Sequence, residues 1–142
     1  MPKKSQPFNY SFESTRTTGG KFTKIHQDMN NSKAWQEISL RQRGLYLEFK
    51  NKFTKYKNGD TNENNISFPR SEYMQLYGNE RTFRKDIDEL ISKGFIKVVT
   101  SGWTTRQPSI YGLSNLWQKY NVIGFEIPYN HKRAIRSKGT GK

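Results

Sequence analysis

The 142-residue chain contains no cysteine. That excludes disulfides, thiolate metal sites and cysteine nucleophiles, and it agrees with a reducing compartment. Histidine is nearly as scarce. His26 and His131 are the only two; they stand in separate segments without nearby ligand partners, so no metal and no histidine general base is expected. Long apolar runs are missing as well. After Met1-Pro2-Lys3-Lys4 no hydrophobic leader region follows, and no stretch approaches the roughly eighteen apolar residues of a membrane span. The expectation is a soluble protein of the bacterial cytoplasm with no membrane partner. The abundance of Lys, Asn, Ile, Phe and Tyr is of the kind seen in AT-rich bacterial and mobile-element genomes.

What the chain has in excess is positive charge. Lys and Arg number 25 against 12 Asp and Glu, a formal charge of +13, with a sequence pI of about 10.0. Such a bias argues for a polyanionic partner. It is spread along the chain, with six cations against two acids over residues 1–33, thirteen against nine over 34–113 and six against one over 114–142. Residues 1–21 lack periodicity and read as a basic flexible arm, 22–123 as one folded domain, and 124–142 as a basic flexible tail.

Within the domain, Phe22–Ile25 is a candidate strand. Ser32 stands as the N-cap of a short helix carrying Ala34, Trp35 and Ile38, and Ser39 as the N-cap of the next. The spacing of Leu45, Phe49, Phe53 and Tyr56 predicts one apolar face on a helix from Leu40 to about Tyr56. Gly44 inside it costs roughly 1 kcal/mol relative to Ala, which close helix packing would explain. A polar loop, 58–65, leads into a strand at Ile66-Ser-Phe68, halted by Pro69. A two-turn helix from Ser71 to Tyr77 ends at Gly78. Asn79 caps a second helix with Phe83, Ile87, Leu90 and Ile91 on its core face, and Gly94 stops it after Lys93. Strands 95–100 and 109–113 form a hairpin around the tip 101–108, and Ser114 caps a last short helix bearing Leu116, Trp117 and Tyr120.

This order of elements predicts an α+β fold, a winged helix-turn-helix, helical with a small antiparallel β-hairpin wing. Its exposed residues predict nucleic-acid contact. Arg81, Arg84 and Lys85 lie early in the second helix while Asp86, Asp88 and Glu89 follow, the reverse of what the helix dipole favours. A polyanion at the helix N-terminus would favour it. The plainer reading makes Arg84–Asp88 and Lys85–Glu89 i,i+4 pairs on a solvated face. Such pairing leaves Arg81, Thr82 and the outward side of Lys85 for a groove. At the hairpin tip Thr104, Thr105, Arg106 and Gln107 suit phosphate or minor-groove contact, whereas Trp103 more often packs back on the core.

Ile66-Ser-Phe-Pro-Arg-Ser, Tyr77-Gly-Asn, Thr82-Phe-Arg-Lys-Asp-Ile, Glu89-Leu-Ile-Ser-Lys-Gly-Phe-Ile and Ser109-Ile-Tyr-Gly-Leu-Ser resemble the winged-helix domains of plasmid, phage and mobile-element replication proteins. The resemblance covers about residues 33–120. It implies Thr82–Lys85 as the groove reader and Arg106 as the wing contact. With Arg70, Ser71 and Asn79 these make the expected DNA-binding set. The chain is shorter than many replication initiators, which carry a second winged-helix or catalytic domain, so repressor and partition roles stay open beside replication control.

Other motifs fail on chemistry. Gly19-Gly-Lys-Phe22 lacks the leading glycine of a phosphate loop and puts Phe22 where a Mg²⁺-binding hydroxyl belongs. A strand-nicking tyrosine would need a histidine cluster that the sequence does not have. Asp86, Asp88 and Glu89 point different ways on a helix, and basic neighbours four residues away explain them better than a metal. No cofactor and no enzymatic activity are expected. The expected partners are double-stranded DNA, a second copy of the chain through Trp35, Trp117 and Tyr120, and a replication or segregation protein. A protein-docking adaptor is the rival, and RNA binding a lesser one.

Overall fold

The computed structural model describes residues 23–102 and 107–133. Two single-turn helices, α1 (Gln27–Asn30) and α2 (Lys33–Gln36), precede the long α3 (Leu40–Lys52). Strand β1 (Ile66–Ser67), helices α4 (Arg70–Tyr77) and α5 (Glu80–Ser92), and strands β2 (Ile96–Thr100) and β3 (Ile110–Leu113) follow. Short 3-10 turns at Leu116–Lys119 and Tyr129–His131 complete the described chain. The class is α+β. The three strands form one antiparallel sheet in the order β1-β3-β2.

Local chemistry sets most boundaries. The Ser32 hydroxyl accepts from Trp35 N at 3.2 Å. Ser39 and Gln42 close a reciprocal capping box at the start of α3. The Asn79 side chain accepts from Thr82 N at 2.8 Å, satisfying one of the four N–H groups that a helix start leaves unpaired. Gly78 and Gly94 end α4 and α5 with φ of 76° and 87°, in the left-handed region that an L side chain enters at a cost.

The core is aromatic. Trp35, Tyr46 and Phe95 meet edge to face or tilted at 5.3–5.8 Å between centroids, and Trp117 stacks on Phe95. Phe49 bridges Phe68 and Tyr111, and Phe68 touches Phe83. Rings at these separations contribute geometry as well as buried area. The α5 stripe is as expected, with Phe83, Ile87, Leu90 and Ile91 all buried.

Several expectations need correction. Residues 23–25 form no strand; Phe22 lies outside the described residues. Helix α3 ends at Lys52, where Phe53 turns extended at ψ 135°, so its buried face is Gln42, Leu45, Tyr46 and Phe49 while Phe53 and Tyr56 are exposed. An isolated antiparallel bridge between Lys55 and Thr61 draws that segment into a turn instead of a further helical turn. Nothing approaches within 4 Å of a Cβ built at Gly44, so no packing demands the glycine. Trp35 is buried, and Trp117 and Tyr120 are partly buried against the core. Residues 124–133 do not leave the body as a tail: Ile127 packs on the core and Arg133 pairs with Asp88.

Strand β2 carries one residue more than β3. Val98 faces Tyr111 and Thr100 faces Ile110, so Val99 is bulged and exposed. The bulge sits at the root of the hairpin.

The glycines give a graded test. Gly44→Ala should stabilise by about 0.5–1 kcal/mol, since it removes only a helix penalty. Gly78→Ala should cost about 1–2 kcal/mol, the left-handed strain alone. At Gly94 a Cβ would also lie 2.5 Å from Trp117 N, adding about 1–3 kcal/mol. Urea unfolding of the three variants should give that order.

Candidate nucleic-acid interface

Helix α5 turns its apolar stripe inward and presents the remaining side chains on one face. What fixes its rotation is Asp86. This carboxylate is fully buried and accepts from Arg41 Nε at 2.6 Å and Nη2 at 2.9 Å, from Gln42 Nε2 at 3.0 Å and from Tyr77 Oη at 2.7 Å. The donors come from the start of α3 and the end of α4, so three helices meet at one acid. Gln42 serves twice, since its Oε1 closes the α3 capping box at 2.9 Å from Ser39 N. Burial pushes the Asp86 carboxyl upward, but the bonds from Arg41, Tyr77 and Gln42 and the Arg41 charge outweigh it and hold the group below the usual aspartate range. Burial and the Asp86 bond together raise the Tyr77 phenol.

The ion pairs on the outer face differ from the expected ones. Arg84 pairs with Glu80, not Asp88. Glu80 also receives Arg70 Nη1 at 2.8 Å. Asp88 is held by Arg133, and Glu89 by Lys93 Nζ at 3.0 Å, which leaves no pair between Glu89 and Lys85. Arg84 with Glu80 and Lys93 with Glu89 keep the i,i+4 spacing in the other direction along the helix, while Arg70 and Arg133 reach in from α4 and the C-terminal segment. Every acid of α5 thus has a cationic partner. Arg81 and Lys85, one turn apart and exposed, have no ionic or hydrogen-bond partner among the described residues.

Arg81, Arg84, Lys85 and Arg133 share an open groove of about 760 Å³ along α5. A second cavity, about 330 Å³, lies between α4, the first half of α5 and the root of the hairpin, and brings Arg70, Arg84, Gln107 and Arg133 together. Ser71 is exposed on the first turn of α4, apart from both. Asn79 works as a cap, and Thr82 is half buried beside it. Thr104, Thr105 and Arg106, with Trp103, lie outside the described residues. Among the described residues no group of three or more His, Asp or Glu side chains comes together as metal ligands.

Two site residues escaped the sequence reading. Asp86 falls three residues after Phe83 and four before Leu90, so helical spacing already put it on the buried stripe. Arg133 follows Gly124 and Pro128 with no periodicity around it, and nothing local marks it. No protein-family model, no curated protein and no solved structure matches the chain.

Asp86→Ala should lower stability by about 2–4 kcal/mol, since it strands Gln42 and Tyr77 donors away from water. Because the folded-state pKa is depressed, the unfolded chain takes up the proton first. The contribution is complete above the ordinary aspartate range and is lost as pH falls through the folded value. Asp86→Asn should therefore flatten the acid limb of urea stability measured from about pH 5 down to about pH 2.

Proposed function

We propose that the chain is a winged helix-turn-helix protein that binds double-stranded DNA by sequence, with the first half of α5 in the major groove and the β2–β3 hairpin as the wing. The succession α3-β1-α4-α5-β2-β3 and the strand order β1-β3-β2 support the fold part of this reading. The observation that carries the binding part is the charge left over on α5. Each acid has a cationic partner, from α5 itself or from another element, while Arg81 and Lys85 stand exposed and, among the described residues, without ionic or hydrogen-bond partners on the turns that a groove-inserted helix uses.

The two cations have different tasks. A guanidinium can bond a guanine edge through two parallel N–H groups, whereas an ammonium on phosphate carries no base information. Arg81 is assigned the reading role and Lys85 a phosphate. A role in replication initiation or its control, in a bacterial plasmid, phage or mobile element, rests on the sequence resemblance. A homodimer through the partly exposed Trp117 and Tyr120 is compatible with this reading. No helix among the described residues is long and apolar enough to cross a membrane.

A duplex selected from a random pool supplies the test. Arg81→Ala should reduce discrimination between that duplex and a scrambled one by about 1–3 kcal/mol. Lys85→Ala should weaken both alike and lower the salt slope by about one. Wild-type association that is weak and indifferent to salt would instead favour a protein-docking role.

A further inference from the structure

Arg133 approaches α5 from the C-terminal segment. Its Nε donates to Asp88 Oδ1 at 2.8 Å and its Nη2 to Oδ2 at 2.6 Å, a bidentate pair that fixes the guanidinium plane. Among the described residues the two Nη1 protons have no acceptor. From this position the side chain borders both the α5 groove and the cavity at the root of the hairpin.

Three arginine side chains from three elements contribute to the lining of that cavity: Arg70 of α4, Arg84 of α5 and Arg133. Among the described residues no Asp or Glu contributes to its lining. The carboxylates that restrain these arginines, Glu80 and Asp88, border the α5 groove on the other side. Three cations thus share two acids, which leaves one positive charge in excess beside the cavity. Such convergence opposes folding by like-charge repulsion and is relieved by an anion.

We propose that the mouth of this cavity seats one phosphodiester of the duplex, with Arg133, positioned by Asp88, as a contact that α5 itself does not supply. The inference rests on α5 lying in the major groove. The strand that divides that groove from the next then crosses between α5 and the hairpin, where the cavity opens. Phosphate is favoured over a base edge because planar N–H forks match its oxygens, and the contact carries no sequence information.

The experiment measures duplex affinity against salt for the full chain. Arg133→Gln should weaken selected and scrambled duplexes by the same factor, about tenfold, and lower the salt slope by about one, with discrimination intact. Removing Arg133 also uncovers the Asp88 charge, so the double variant Arg133→Gln/Asp88→Asn separates the two effects. A persistent slope deficit in the double variant supports the phosphate contact. Recovery of wild-type affinity and slope means that Arg133 only neutralises Asp88, and overturns the inference while leaving the reading of α5 standing. Wild-type binding that ignores salt overturns both. A measurement free of any folding defect is the Arg133 Nε–Hε resonance of the wild-type chain. It should shift on adding the selected duplex, and a resonance that stays in place while the signals of α5 move overturns the inference.

Discussion

The arrangement of α3, α4 and α5 depends on one carboxylate that water does not reach. Asp86 could not be buried alone, since an unpaired charge in the interior costs several kcal/mol. It is tolerated because four donor atoms on Arg41, Gln42 and Tyr77 converge on its two oxygens. Those donors sit in the first turn of α3, where the helix dipole also favours a negative group, and in the last turn of α4. Rotating α5 by one residue would break all four bonds and expose Phe83 and Ile87. The acid therefore selects which side chains of α5 face outward.

That selection shapes the electrostatics. The outward face would carry a near balance of charges if only α5 mattered. Instead Arg70 and Arg133 arrive from other elements and Lys93 from the helix's own C-cap to occupy its acids, and the two cations that remain lie in the first half of the helix. Exposed pairs of this kind add little to stability. Their consequence is the sign and location of the field, which is set by elements far apart in sequence.

Signals carried by neighbouring residues were legible. The caps at Ser32, Ser39 and Asn79, the glycine stops at 78 and 94, the apolar stripe of α5 and the hairpin strands all follow from spacings within a few residues, and all are present. Other features depend on partners that sequence does not identify. The end of α3 is set by the turn that Lys55 and Thr61 close. The partner of Asp88 lies 45 residues away. Trp35 reads as a surplus aromatic until Tyr46 and Phe95 close around it. Of the expected DNA contacts, Arg81 and Lys85 keep the exposure the reading requires, and Arg70 and Arg84 are tied to Glu80. Asp86 was legible in principle, because its place on the helical period was visible and only its polarity argued for the surface.

The extra residue at Val99 separates two properties of the hairpin. A bulge increases the local right-handed coil of the strand that carries it, so the direction in which the hairpin leaves the sheet is decided before the chain reaches its connecting residues. Substitution or lengthening in the connection can then alter what the hairpin touches without altering where it points. Aim and chemistry can in this way evolve independently.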